Sequence, residues 1–489
     1  MGMTSLQTLI KRLKPQFTNR SMSKQIQHAL APEKMAVVGA GLVGSLWALM
    51  LAQRGHHVDV FERRPDPRKG TYKGGRSINL ALSDRGWRAL EKAGIAHAVR
   101  EIALPITHRT MHATDGSLTR QPYGLPNAKG KFNDPQCIYS VSRALLNRLL
   151  VEESEKHQYV NYRFDHRCVD MDLESKKLTL EKADGRQHMQ TFDRIFGTDG
   201  AFSRVRDRLM RTDRFDFAQR YLTHGYKEIE MRPSANGDFK MEADALHIWP
   251  RGEFMLMGLP NPDGTFTCTV FAPYDGPNGL NGLDSDDAVM TYFSTHFSDV
   301  IPLIPDFTKQ WLANPTSSLV MTQCYPWHHG DSICLMGDAS HAIVPFYGQG
   351  MNSGMEDCSV LSELLDAMNS PQDWANTMQQ YTALRKPSGD AILELALRNY
   401  IEMRDKTGDP SFLLRKKIEA KLAAKFPGRW LPLYSQVTFS HTPYEQALKA
   451  GKRQDRIMEK VLAQEGIEDD WDRPETFESI LNAWESDSA

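Results

Sequence analysis

The residues best placed to do chemistry begin with three glycines and an acid. Gly39, Gly41 and Gly44 stand in Met35-Ala-Val-Val-Gly-Ala-Gly-Leu-Val-Gly, an apolar run Leu46–Leu51 follows, and Glu62 closes Val58-Asp-Val-Phe, 23 residues after Gly39. That order reads strand, tight turn, helix, strand. Gly39 permits the turn, Gly41 lets backbone approach a pyrophosphate, and Gly44 lets the helix lie close on the strand. The helix N-terminus, with Leu42 and Val43 in its first turn, offers N–H donors to phosphate. A carboxylate at Glu62, with Arg63 beside it, can accept hydrogen bonds from a ribose. Strand, turn, helix and terminal acid agree, so the spacing predicts a bound dinucleotide. The glycine triplet alone fits NAD and FAD equally.

Other segments have the same texture. Gly74-Gly75-Arg76 leads into Ser77-Ile-Asn-Leu80, where Arg76 is a ready partner for an anion. A strand ending at Gly197 runs into Thr198-Asp199-Gly200 and then a helix opened by Ser203 and Arg204, with Arg206 inside it. Ser332–Met336 reads as a strand ending on Gly337-Asp338, before the loop Val344-Pro-Phe-Tyr-Gly348-Gln-Gly350-Met351-Asn352. A capping box of Ser353 and Glu356 is expected to open the helix that follows, with Leu361, Leu364, Leu365 and Met368 as its buried stripe. Arg109 lies in an alternating run, Ile106–Met111, which can pair with Leu118–Tyr123. Which face of that pair is buried is left open.

These residues need elements to hold them. A helix from Ser83 carries Trp87, Leu90, Ile95 and Val99 on one period, and Ser142 is an N-cap for a helix with Leu145, Leu149 and Leu150 inward. Residues 159–197 alternate as short strands. From 215 to 330 the texture becomes an antiparallel meander, with strands at Leu246–Pro250, Glu253–Pro260 and Thr265–Phe271 and a turn at Asp263-Gly264. Beyond 370 the chain is largely helical, with Leu393, Leu397, Tyr400 and Ile401 as one stripe. The last helix carries Phe477, Ile480, Leu481 and Trp484 and is expected to be capped by Asp472 or Glu475.

Composition narrows the partners. Over 489 residues, 59 Lys and Arg face 61 Asp and Glu, so no global field favours nucleic acid or an acidic membrane. Six scattered cysteines form no C-x-x-C pair, which reads as a reducing, cytoplasmic compartment. No apolar run approaches bilayer length. Residues 1–34 hold six Lys or Arg against Glu33 and read as a basic leader.

The glycine triplet with Glu62, Thr198-Asp199-Gly200 with Arg206, and Gly337-Asp338 together resemble the single-component FAD-dependent aromatic hydroxylases of the para-hydroxybenzoate hydroxylase fold. Within that group, Gly75–Leu82 with Arg85-Gly86, His224–Glu228, Leu246–Pro250, Val344–Asn352 and Asn399-Tyr400 are similar to the kynurenine 3-monooxygenases. The resemblance implies FAD as cofactor, NADPH as a transient co-substrate, and L-kynurenine and O2 as the other small-molecule substrates. It also implies chemistry through a flavin C4a-hydroperoxide, with no obligatory catalytic side chain and no metal. By the same resemblance Arg109 and Tyr123, supported by Asn399 and Tyr434, bind the substrate's carboxylate. Leu246, Met257, Leu259, Phe271, Phe346 and Met403 form the ring pocket. FAD is held by Gly39, Gly41, Leu42, Val43, Gly44, Glu62, Arg63, Arg76, Leu80, Arg143, Asp199, Asp338, Gly348, Gly350, Met351 and Asn352. Tyr347 replaces a histidine found in some members, and its role is left open.

The expected fold is α/β. A discontinuous Rossmann-like FAD domain (35–105, 140–214, 330–370) carries an inserted, mostly antiparallel substrate domain (106–139, 215–329) and a C-terminal helical region (371–489). The charged C-terminus, where eukaryotic members carry a membrane anchor, suggests a soluble form, monomeric or homodimeric. Two other readings stand beside this one: a flavin hydroxylase of another aromatic acid, which would have no need of Asn399 and Tyr434, and a flavoprotein scaffold serving a protein partner.

Overall fold

Met35, Ala36, Val37 and Val38 are all buried, without alternation, as a strand covered on both faces requires. They form β1 (Lys34–Val38) near the middle of a six-stranded sheet. Its order is β18 (His328–His329), β19 (Ile333–Leu335), β12 (Arg194–Gly197), β1, β2 (His57–Phe61) and β8 (Val160–Arg163). All neighbours pair parallel except β18 with β19. Helix α1 (Leu42–Ala52) packs on this sheet, and Trp47 meets Phe196 edge-on at 5.4 Å. The computed structural model describes residues 31–69, 79–124, 136–402 and 409–486. Most of the basic leader, Arg76 and Met403 lie outside the described residues.

A seven-stranded sheet positions the second half of the site. It runs β17 (Ser317–Tyr325), β13 (Asp216–Met231), β16 (Phe266–Pro273), β15 (Phe254–Pro260), β14 (Ala245–Arg251), β5 (His108–His112) and β6 (Leu118–Pro122). Side chains of directly paired residues share a face. Arg109 pairs with Leu246, Ile248 with Met257, Leu259 with Thr267, Met257 with Thr269 and Met255 with Phe271, so Arg109, Leu246, Met257, Leu259 and Phe271 all project to one side. The opposite side is a closed core. There Ile229, Trp249, Leu256 and Val270 pack under Phe293 and Trp311 from the helices Asp286–His296 and Phe307–Ala313.

Two small sheets complete the strand set. β3 (Leu80–Leu82), β7 (Ile138–Val141) and β4 (Ala103–Ile106) are ordered β3-β7-β4, while β9 (His166–Asp172), β10 (Lys177–Lys182) and β11 (Gln187–Thr191) form an antiparallel sheet of their own. The run Ile106–Met111 therefore serves two sheets, with Ile106 on β7 and Arg109 on β14.

Several local expectations are corrected. The helix from Ser83 is two, Asp84–Lys92 and Ala96–Arg100, separated at Gly94 with φ +77°. Leu145 is 44% exposed, and the inward stripe of the helix Arg143–Glu155 runs instead through Leu146, Leu150 and Val151. Ile401 is likewise 39% exposed. Ser353 does not cap its helix, which already begins at Gly350; Glu356 is drawn away to two arginines. Asp472 pairs with Lys421 rather than capping the helix Pro474–Ser486.

Those arginines belong to a buried ionic network. Glu356 bonds Arg85 and, at 2.6 Å, Arg385; Arg385 holds Asp357 at 2.7 Å, and His341 Nε2 meets the same carboxylate at 2.7 Å. Burial favours the neutral acid, yet His341 and Arg385 hold Asp357 below its ordinary value. Replacing Arg385 by Met leaves Glu356 and Asp357 short of charge in the interior, which costs about 3–5 kcal/mol. Urea denaturation is expected to show that loss, and a change below about 1 kcal/mol would contradict the network's role.

Candidate functional site

The phosphate turn is built at the C-terminal end of β1. Gly39 has φ +104°, and a Cβ there would meet the Thr198 carbonyl at 2.7 Å. On Gly44 a Cβ would fall 1.9 Å from the Gly39 carbonyl oxygen. Both glycines are required by the protein itself. Gly41 differs: its backbone, at φ −76° and ψ −173°, suits any residue, and its Cβ would meet nothing within 4 Å. Packing does not demand glycine at 41, whereas close approach of a pyrophosphate to the start of α1 does. The residues present therefore fit FAD.

Glu62 is buried, and its carboxylate accepts from Ala40 N at 3.0 Å and from Arg64 N and Nε at 2.9 Å. It fixes the turn from the neighbouring strand, and three protein donors do not fill a carboxylate's roughly four acceptor sites. Arg63 is exposed beside it.

Other loops converge on the same edge. Thr198 N and Oγ1 donate to the Val38 and Gly39 carbonyls at 2.9 Å, and Met336 N donates to the Gly197 carbonyl at 3.0 Å. Val43 sits against Gly337 and Gly354, where added Cβ atoms would come within 2.9 and 2.7 Å of its methyl. Asn352 Nδ2 bridges the Ala81 and Gly348 carbonyls at 2.8 Å each, so β3, which carries Leu80, is tied to the loop that ends in Gly350 and Met351. Arg143 follows β7, whose Val141 pairs with Leu80, and is exposed. Asp338, Gly348 and Gly350 are part-exposed among buried neighbours.

Asp199 and Arg206 have internal partners that the sequence does not reveal. The Asp199 carboxylate accepts from Ser203 Oγ, from Arg204 N at 2.6 Å and from Val205 N at 3.4 Å, capping the helix Arg204–Leu209. Arg206 donates to the Ala339 and Ala201 carbonyls at 3.0 and 2.6 Å and lies over Phe217.

The second half of the site faces this edge. The Arg109 guanidinium lies 4.5 Å from the ring centroid of Tyr123 and 4.6 Å from that of Tyr434, and the two rings stack at 5.7 Å. Burial opposes its charge, and the two phenols more than offset it, holding Arg109 above its ordinary value. Among the described residues no carboxylate is ion-paired with it. Leu246 and Leu259 form one apolar cluster with Tyr123 and Phe439, and Phe271, Phe346 and Tyr347 form another; Met257 and Tyr434 border both. Phe346 lies 5.0 Å from Phe271 and 4.4 Å from Tyr400, and its carbonyl accepts from Asn399 Nδ2 at 2.6 Å. The described residues of the expected pocket are thus gathered on one sheet face and the helices above it. Tyr347, whose role the sequence leaves open, stacks on Tyr434 at 5.6 Å, and burial pushes its phenol well above the ordinary value. Ile248 and Met111 share the face but were not picked out; strand register, with residue 246 inward, puts 248 inward as well.

Comparison with known proteins decides between the dinucleotides and fixes the family. The FAD binding domain family matches residues 33–396. Kynurenine 3-monooxygenase of Christiangramia forsetii is 45% identical over 92% of this chain and 98% of its own length, and that of Dictyostelium discoideum 41% identical over 88% and 94%. The chain belongs to the kynurenine 3-monooxygenase family. It is an FAD-dependent monooxygenase. Its fold is that of the flavin aromatic hydroxylases, as solved for 2-methyl-3-hydroxypyridine-5-carboxylic acid oxygenase (TM-score 0.62, 20% identity, 81% of this chain and 97% of that one). Pseudomonas putida p-nitrophenol 4-monooxygenase is similar too (TM-score 0.60, 17% identity, 92% and 98%). No described helix is long and apolar enough to cross a membrane.

The contrast between Gly41 and Gly44 makes a prediction within this family frame. Gly41→Ala should keep its denaturation midpoint and lose FAD affinity by roughly ten-fold or more, because only the cofactor meets the new methyl. Gly44→Ala should instead destabilise the fold by about 1–3 kcal/mol or more. Flavin titration and urea melts of the two variants measure both, and a Gly41→Ala protein that retains full FAD affinity would refute the assignment.

Proposed function

We propose that the protein hydroxylates L-kynurenine at the ring carbon ortho to its amino group, giving 3-hydroxykynurenine, with FAD as cofactor and NADPH and O2 as co-substrates. The observation that carries this is the Arg109 guanidinium, held against the stacked rings of Tyr123 and Tyr434 at one end of an apolar pocket. An amino-acid substrate brings the carboxylate that such a fork pairs with, and an aromatic ring suits the walls beyond it. Relatives that match nearly the whole chain bear the name of this activity, which supports the reading.

Bound FAD, once reduced by NADPH, supplies the activation of oxygen that no side chain provides. The chain's own work is placement. Arg109 pairs the carboxylate, while Tyr123 and Tyr434 keep the guanidinium flat and in place. Asn399 is committed to the Phe346 carbonyl, so it fixes the pocket's roof from the helix Trp374–Ile401. Leu246, Met257, Leu259, Phe271 and Phe346 grip the ring and exclude water, so that activated oxygen meets the ring in a dry, low-dielectric space. Burial keeps the Tyr123, Tyr347 and Tyr434 phenols neutral across the physiological range, where they act as hydrogen-bonding and stacking groups. All six cysteines are free and buried, which supports a cytoplasmic location; we expect a monomer or homodimer.

The test is NADPH consumption by the flavin-loaded protein with and without L-kynurenine, with the product identified by mass. Strong stimulation and a product one oxygen heavier are expected. Arg109→Met should raise the KM for kynurenine by roughly 100-fold while leaving bound flavin unchanged, the size expected for breaking a desolvated charge pair. Absence of stimulation would remove kynurenine as the substrate, and an unchanged KM in the variant would remove Arg109 as its anchor.

A further inference from the structure

Asn79 is 6% exposed and has no part in the placement described above. It comes immediately before β3, whose Leu80 the family resemblance gives to FAD and whose Ala81 carbonyl is held by Asn352. Its side chain crosses to the substrate sheet. Asn79 Nδ2 donates to Asn261 Oδ1 at 2.8 Å and lies 3.3 Å from the Pro260 carbonyl, while Asn79 Oδ1 accepts from Thr267 Oγ1 at 3.1 Å. Asn261 Nδ2 in turn donates to Thr267 Oγ1 at 3.2 Å, so the three side chains close a ring of hydrogen bonds. From β7, beside β3, Ser140 Oγ donates to the same Pro260 carbonyl at 2.8 Å.

The backbone sets the direction of this ring. A carbonyl oxygen only accepts, so the side of Asn79 turned to Pro260 carries the amide N–H groups, and the other side is the oxygen that the Thr267 hydroxyl serves. Asparagine meets both demands in one side chain. An aspartate would set a second acceptor against Pro260, and an apolar residue would leave Asn261 and Thr267 short of partners. Closed rings of this kind strengthen each member and lose strength steeply when a distance or angle slips. What the ring joins bears on the reaction. Thr267 pairs with Leu259 across β16 and β15 and shares its face, and Leu259 is a wall of the ring pocket. Asn79 therefore spans the step from the strand that carries Leu80 to the strand that carries the pocket wall.

We propose that Asn79 is a positioning residue for oxygen transfer: through Thr267 and Asn261 it sets the register of the ring pocket against the cofactor half of the site. The inference rests on the hydroxylase reading above. With the register kept, NADPH, a proton, O2 and the aromatic C–H yield NADP+, water and the C–OH. With the register loosened, the same NADPH, proton and O2 yield NADP+ and hydrogen peroxide, and the aromatic ring is untouched. Asn79 does not touch the Arg109 anchor, so its loss separates oxygen transfer from substrate binding.

The test uses the flavin-loaded full chain with three substitutions. Asn79→Leu keeps the size and removes both hydrogen-bonding atoms, Thr267→Val removes only the hydroxyl that closes the ring, and Thr267→Ser keeps that hydroxyl. In the first two, hydroxylated product per NADPH consumed should fall by about two-fold or more, with the balance recovered as hydrogen peroxide. Their Kd for kynurenine should stay within about three-fold of wild type, since the anchor is intact. The difference spectrum that bound kynurenine produces in the flavin band, read without turnover, should change shape in both. Thr267→Ser should match wild type in product yield and in spectrum. If Asn79→Leu fails to fold, Thr267→Val decides the matter against Thr267→Ser. A merely structural ring would lower the urea midpoint and leave product yield and spectrum unaltered, and that result overturns the proposal, as does equal loss of yield in Thr267→Val and Thr267→Ser. Wild type that shows no product and no spectral response to kynurenine would overturn the reading beneath, and this proposal with it.

Discussion

A positive charge set against two stacked aromatic rings, with no described carboxylate to neutralise it, is the constraint on which the pocket depends. Arg109 lies within 4.6 Å of the ring centroids of both Tyr123 and Tyr434. Cation–π contact stabilises such a guanidinium by about 0.5–2 kcal/mol, which orients the charge but does not replace a counter-ion. In the proposed reading the substrate's carboxylate completes it. Tyr123 follows β6, next to the arginine's strand, whereas Tyr434 comes from a short helix, Leu433–Thr438, more than 300 residues later in the chain. Charge and fold are therefore linked, because the C-terminal helices must be docked before the anchor exists.

Docking is secured by the buried network below the pocket. Arg85 reaches Glu356, the Val437 carbonyl at 3.3 Å and the Thr442 carbonyl, and lies 3.9 Å from the Tyr444 ring centroid. The Tyr444 hydroxyl donates to Gln349 Oε1 at 2.9 Å, in the loop between Gly348 and Gly350. One set of polar contacts thus holds both the substrate helix and the glycine loop of the FAD half. Their cost in desolvation is offset only while every member is paired.

The first half of the site was legible because its signals are local. Gly39, Gly41, Gly44 and Glu62 lie within one strand-turn-helix-strand unit, and the structure keeps their spacing and joins Glu62 to Ala40 N. The face of Arg109 was not legible from alternation alone, because strand periodicity separates faces without saying which is covered. That is decided by Phe293 and Trp311, which close the opposite side of the seven-stranded sheet. Glu356 shows the limit of short motifs: a capping-box spacing was present, but two arginines distant in sequence took the carboxylate.

The most direct measurement is a comparison of L-kynurenine with its decarboxylated amine as ligands of the flavin-loaded protein, by calorimetry or by perturbation of the flavin spectrum. The two share a ring, an aniline nitrogen and a side-chain amine, and differ in the group that Arg109 is built to receive. The account predicts that the amine binds roughly 100-fold more weakly, since it leaves a desolvated guanidinium without its partner. Equal affinities would mean that Arg109 does not anchor the substrate, and the pocket would have to be read the other way round.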